Sequence, residues 1–408
     1  MNWRSPNTSG NASRSPTEVV AVSRWSLIFF LSVTLIAGCA REEANTALPP
    51  APAPVALSQN ATPVVTEVVP APVAQAGTLV PGPQVTEPAP PPPSEQSVPA
   101  TANETPPAPP VTKPVNIAIP LTDMTANDSY KGEDGGLYGK GLNQPPQNHR
   151  DAALEELATI RPLDKQGSPS ADGKVVLISV GMSNTTQEFS AFKRLADADR
   201  EKSSSLVIVD GAQGGQTAQI WATQNNPWQV LEQRLQQAGV TPAQVQVVWL
   251  KQANSQPKQP FPAEAKTLQT HLSAIVKLIK ERYPNVRIVY LSSRIYAGYA
   301  TTALNPEPHA FESAFSVRWL IQDQINGNPA LNYNPDVGTV VSPLLLWGPY
   351  LWADGLNSRS DGLTWARSEL SATDGTHPSD SGKEKVARML LDFFKTDELA
   401  RSWFLKTP

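Results

Sequence analysis

The chain of 408 residues holds a single cysteine, Cys39. One thiol cannot close an internal disulfide, and it excludes Cys-x-x-Cys redox motifs and multi-cysteine zinc sites. The only histidines are His149, His271, His309 and His377. They lie far apart in sequence and form no His-Glu-x-x-His pair, so a metal hydrolase is disfavoured and no cofactor is expected. Lysine and arginine build no block, and the formal charge is -4 with a pI of about 5.7, which leaves nucleic acid no electrostatic footprint. Aromatic residues are missing altogether from Leu31 to Ser129.

What is abundant is proline, with 41 residues, and 20 of them fall between Pro49 and Pro114. That stretch carries only five charged side chains, Glu67, Glu87, Glu95, Glu104 and Lys113. Without aromatics it cannot bury enough apolar surface to offset its ordering entropy, and runs such as Pro90 to Pro93 favour polyproline II. The expectation is a solvated, semi-rigid tether reaching at most roughly 200 Å at ~3.1 Å per residue. Upstream, Arg24 precedes an apolar run from Leu27 to Ala37, too short to span a bilayer comfortably but suited to the core of a signal peptide. Ala37-Gly38 directly before Cys39 resembles a bacterial lipobox, in which cleavage leaves a lipidated cysteine as the new N-terminus. A free cysteine in an ordinary anchor helix is the alternative. Ala40 is not Asp, which by the lipoprotein sorting rule suggests the outer membrane. The stretch before Arg24 is long for such a leader, which suggests a start assigned too far upstream. The expected organisation is a lipoprotein signal peptide over 1–38, a disordered Pro/Ala-rich linker over 39–120, and one globular domain over 121–408.

In that domain short β-branched runs alternate with helical patterns. Strands are expected at Lys174 to Val180, Ser205 to Asp210, Gln244 to Leu250, Val286 to Ser292 and Val337 to Leu344. Helices are expected at Thr186 to Lys202, Pro227 to Ala238, Ala263 to Tyr283, His309 to Asn326 and Ser379 to Phe394. Apolar, non-alternating strands between helices argue for a parallel sheet covered on both faces. Active groups in such sheets gather beyond the carboxyl ends of the strands.

Four segments sit at those ends. Gly181-Met182-Ser183-Asn184 follows the first strand, and a serine at a strand-to-helix turn has an exposed Oγ and a backbone N–H near a helix start. It would equally serve as an N-cap. Asp210 to Thr217 is a glycine-rich turn able to bring an N–H close to a substrate oxygen, or simply a tight turn; it lacks the Gly-Lys-Ser/Thr of a phosphate loop. Asn254 follows the third strand, where an amide could donate to an oxyanion or merely form a turn. Asp374-Gly375-Thr376-His377 precedes the last helix, and a carboxylate three residues before a histidine can accept from Nδ1 and leave Nε2 as a base.

In this order the four segments resemble the SGNH or GDSL hydrolase superfamily, over roughly Lys174 to Phe394. The resemblance implies a flavodoxin-like three-layer α/β/α sandwich with a five-stranded parallel sheet. It also implies Ser183 as nucleophile, His377 and Asp374 completing a catalytic triad, and an oxyanion hole of the Ser183 N–H, Gly215 and Asn254. Gly215 rather than Gly214 is chosen because Gly215-Gln216-Thr217 matches the family's Gly-x-Thr. Position 182 is Met where the family name implies Asp, and Gln252-Ala253-Asn254 lacks the usual glycine and following Asp. The form Gly181-x-Ser183-Asn184 is similar to the carbohydrate O-acetylesterase branch. An α/β-hydrolase elbow would need Gly where Thr185 stands.

Two further stretches could shape a site. Gly135 to Gly139 precedes the first strand. Trp347 to Trp352, with Trp365, could stack on sugar rings beside the histidine, or could pack an insertion onto the sheet. Arg294 could meet an acidic substrate group or brace a loop. The expected function is a lipid-anchored esterase of the cell envelope acting on an ester, such as an acylated glycan, with a membrane partner through Cys39. The alternatives are a non-hydrolytic glycan-binding lipoprotein and a lipase or thioesterase for longer acyl chains.

Overall fold

The computed structural model describes residues 118–406. The expected signal peptide, Cys39 and nearly all of the linker lie outside the described residues. After an irregular strap that packs Leu121, Met124, Leu137 and Tyr138 into the core, the elements run in this order. They are α1 (Gln147–Thr159), β1 (Val175–Gly181), α2 (Ser183–Ala198), β2 (Leu206–Val209), α3 (Ala218–Thr223), α4 (Asn226–Gln237) and β3 (Val245–Lys251). There follow α5 (Ala263–Arg282), β4 (Ile288–Ser292), α6 (His309–Ile325), β5 (Leu344–Trp347), α7 (Asp380–Thr396) and α8 (Arg401–Phe404).

The five strands are parallel in the order β2-β1-β3-β4-β5. This is the flavodoxin-like, doubly wound arrangement. Every residue of β1, β3, β4 and β5 is buried, as expected of strands covered on both faces. Helices α2 and α7 pack on each other over one face, and α5 packs against α3 and α6 over the other. Because the chain reverses its winding at β1, the loops leaving β1, β2 and β3 open side by side at one end of the sheet.

The expected strand over Val337 to Leu344 is a correction: β5 is Leu344–Trp347, overlapping by one residue. The β-branched stretch before it is interrupted by Gly338, and Val337 is 76% exposed. Its backbone is gathered instead around Asn332, whose Nδ2 donates to the carbonyls of Thr339 and Asn334. Leu344 to Trp347 pair with Ile288 to Leu291, so burial against β4 outweighs β-propensity. Helix α1 was not anticipated. Its buried positions are only His149, Ala153 and Leu157, a one-residue-wide stripe in a polar segment.

The aromatic stretch is also settled by burial. Trp347, Tyr350, Trp352 and Trp365 are all buried, and their polar edges are used inside the protein. Trp347 Nε1 donates to Leu137 O at 2.7 Å, Trp352 Nε1 to Glu307 Oε1 at 2.8 Å and Trp365 Nε1 to Leu351 O at 2.9 Å. They pack the insertion onto the sheet and present no stacking surface. The Gly135 to Gly139 turn belongs to the same packing, with Gly136 and Gly139 both at φ +85°.

Candidate active site

Gly181 ends β1 in a space that admits no side chain: a Cβ there would stand 2.3 Å from Thr185 Oγ1 and 2.5 Å from the Lys251 carbonyl oxygen. The chain then turns directly into α2. Met182 takes the N-cap position with extended backbone and no side-chain cap, so Ser183 is the first helical residue. Its hydroxyl caps nothing. It lies 2.7 Å from Nε2 of His377. The N–H of Ser183 belongs to the first turn, where no intrahelical acceptor exists.

His377 is held by its own loop. Asp374 Oδ2 lies 2.8 Å from His377 Nδ1, and Asp374 Oδ1 accepts from the backbone N–H of Thr376 at 2.8 Å and of His377 at 2.9 Å. Partial burial pulls the Asp374 pKa upward. The N–H donors and the imidazole nevertheless hold its carboxyl below the usual carboxylate range. An ionised carboxylate can only accept, so Nδ1 carries the ring hydrogen and the Nε2 lone pair faces the serine hydroxyl. Gly375 makes the turn possible at φ +62°, with a Cβ position 1.9 Å from the Tyr299 carbonyl oxygen.

Several contacts that sequence reading did not find bring the loops together. Asn184 Nδ2 donates to Thr376 O at 2.9 Å, linking the nucleophile turn to the histidine loop. Thr185 Oγ1 donates to Lys251 O at 2.7 Å, linking it to the end of β3. Asp210, at the end of β2, accepts from Ser179 Oγ, Thr186 Oγ1 and Ser190 Oγ, each at 2.6 Å. Arg234 Nη1 donates to the carbonyls of Asp210 and Ala212 and so holds the start of the glycine turn. Asp210 was visible as the head of that turn; its ring of hydroxyls, drawn from two other elements, was not.

Gly215 lies in the loop after β2 at φ +75°, with open space where a Cβ would be. Its N–H makes no hydrogen bond among the described residues. Asn254 lies in the loop after β3, and the two loops are tied together: Ala218 N–H donates to Ala253 O at 3.0 Å and Gln252 Nε2 to Gln216 O at 3.3 Å. β2 and β3 flank β1, so the loops that carry Gly215 and Asn254 leave the sheet from the two strands next to the one that ends at the Ser183 turn.

Beneath the site lies a buried ion pair, Lys251 Nζ with Glu188 Oε1 at 2.6 Å and Oε2 at 2.5 Å, the side chains 2% and 0% exposed. Burial pushes the Lys251 ammonium down to about 8 against the attraction of Glu188. Arg294 is buried beside this pair, 2% exposed, rather than open to solvent. Its Nε and Nη2 have no hydrogen-bond partner, and burial lowers its pKa against the fields of Glu188, Glu307 and Asp374. No cluster of three or more His, Cys, Asp or Glu residues arranged for a metal ion occurs among the described residues.

The chemistry available is that of a hydroxyl placed to pass its proton to an imidazole nitrogen whose ring is fixed at the far side by a carboxylate. No protein-family model matches the chain, and no curated protein is significantly similar to it. Among solved structures, it is similar to a carbohydrate esterase of family 3 from Talaromyces cellulolyticus. The identity is 13% and the TM-score 0.34, over 53% of this chain and 93% of the other. It is also similar to the periplasmic domain of a lipopolysaccharide acetyltransferase from Salmonella ser. Paratyphi A. That match has 14% identity and TM-score 0.29, over 60% of this chain and 96% of the other.

Proposed function

We propose that this protein is a carboxylic ester hydrolase of the SGNH type, held in the cell envelope by a lipid on Cys39, that deacetylates a carbohydrate or other small ester. The observation that carries the reading is the unbroken series Ser183 Oγ, His377 Nε2, His377 Nδ1, Asp374 Oδ2, at 2.7 and 2.8 Å. In the proposed reaction Ser183 Oγ attacks the ester carbonyl as its proton moves to His377 Nε2. The resulting oxyanion accepts hydrogen bonds from the N–H groups of Ser183 and Gly215 and from Asn254 Nδ2. The tetrahedral intermediate collapses, the alcohol leaves with the proton from His377, and water, deprotonated by His377, releases the acid from the acyl-enzyme. The acetyl preference is supported by the Gly181-x-Ser183-Asn184 form. The non-hydrolytic alternative, motivated by the altered first and third segments, would gain from a Ser183 out of reach of His377; the 2.7 Å separation supports the hydrolytic reading instead.

The full chain is to be assayed on acetylated sugars, aryl esters of increasing chain length and acyl thioesters. Ser183→Ala is expected to remove something approaching the ~10⁶-fold typical of triad serines. Aryl acetate hydrolysis that survives this change would sink the assignment, and a rate that climbs with acyl length would replace the acetyl reading with a lipase or thioesterase.

A further inference from the structure

We infer that His271 sets which end of the Asn254 amide faces the serine, and thereby gives the oxyanion hole a donor on its β3 side. The inference rests on the ester-hydrolase reading above. His271 lies on α5, outside every motif that pointed to the site, and its Nδ1 stands 2.9 Å from Asn254 Oδ1.

The remainder of the Asn254 loop is fixed by other contacts. Its carbonyl accepts from Asn305 Nδ2 at 3.1 Å, and the carbonyl of Ala253 accepts from Ala218 N–H at 3.0 Å. What the backbone leaves undecided is the rotation of the amide itself, which exchanges a two-hydrogen donor for an acceptor. Burial lowers the pKa of His271 against the attraction of Glu264, so its ring is neutral near pH 7 and carries one N–H. With that hydrogen on Nδ1 the ring donates to Oδ1, and Nδ2, which has no acceptor among the described residues, keeps both its hydrogens for an incoming oxyanion. With it on Nε2 the bond reverses: Nδ2 donates to the ring, and the lone pairs of Oδ1 turn to where negative charge develops. The tautomer of His271 therefore decides the sign of the electrostatic contribution at this position, and the bond keeps the amide from reorienting during turnover. His271 acts through Asn254 and is a positioning residue.

The test uses the full chain and an aryl acetate. Asn254→Ala is expected to lower kcat by about 10² to 10³-fold, the loss usual for one oxyanion donor. His271→Leu should lower kcat by about ten- to a hundredfold with KM little changed, as misplacement of a catalytic group does. In the Asn254→Ala background the same change should add nothing. His271→Gln, which retains a donor, should recover part of the loss. A His271→Leu effect that persists undiminished in the Asn254→Ala background, or no effect in the wild-type background, overturns the inference. Histidine ¹⁵N NMR of the wild-type chain reads the tautomer without any turnover and without depending on the variants' folding. The Nδ1–H form supports the inference and the Nε2–H form overturns it. Should no ester be hydrolysed, this measurement alone judges the His271–Asn254 bond while the esterase reading falls.

Discussion

Asp374 performs two tasks with one carboxylate: Oδ1 shapes the loop through two backbone N–H groups and Oδ2 fixes the imidazole. Asp374→Asn can keep most of the loop while offering the ring an amide of the wrong polarity. The expected result is a kcat loss of about 10⁴-fold with the fold retained, checked by steady-state kinetics alongside thermal melting. Its depressed pKa also has a sign. A carboxylate held below its unfolded value stabilises the protein fully above that value, so the wild-type advantage over Asp374→Asn in melting temperature should be constant at neutral pH. It should shrink only below the 3.8 of an unperturbed aspartate. Sequence reading paired Asp374 with His377 because both lie on one turn, where spacing alone brings them together. Asn184 was out of its reach, since its partner Thr376 stands 192 positions away. The surroundings of Arg294 were out of reach for the same reason: the carboxylates whose fields act on it, Glu188, Glu307 and Asp374, come from three separate segments.

At the scale of elements, the Lys251–Glu188 pair joins the end of β3 to the core-facing side of α2 directly below the nucleophile turn. A buried pair contributes little net stability, but removal of one partner leaves the other charge uncompensated. Lys251→Met is therefore expected to destabilise the fold by about 3 to 5 kcal/mol in urea denaturation, and Lys251→Met with Glu188→Leu to recover most of that loss. A single variant as stable as the double would contradict the pairing. The first four strands were legible because each is a compact apolar run bounded by polar turns. The fifth was displaced because Val337 to Val341 has the residue types of a strand, while Leu344 to Trp347 has only the right neighbours. Helix α1 escaped because most of its surface is solvated, and the Trp347 to Trp352 aromatics looked available because nothing in a linear sequence shows that their polar edges are satisfied.

At the scale of the whole molecule, composition divides the chain more sharply than any motif. The proline-rich stretch and Cys39 read as a tether and its anchor, and the hydrolytic machinery proposed here needs neither. Cys39→Ala is accordingly expected to move the protein from the membrane pellet to the soluble fraction on cell fractionation, with kcat on an aryl acetate unchanged. Retention in the pellet would remove the lipid anchor from the proposal. The meeting of α2 with α7 has a consequence for how such a protein comes into being. Ser183 and His377 are 194 positions apart and touch only where those two helices close over the sheet. A chain still emerging from the ribosome, with α2 made and the His377 loop not yet made, has the hydroxyl but lacks its base. On the mechanism proposed above, the serine would stay without its base, and the producing cell's own esters would be spared, until the segment that carries His377 has been made and folded.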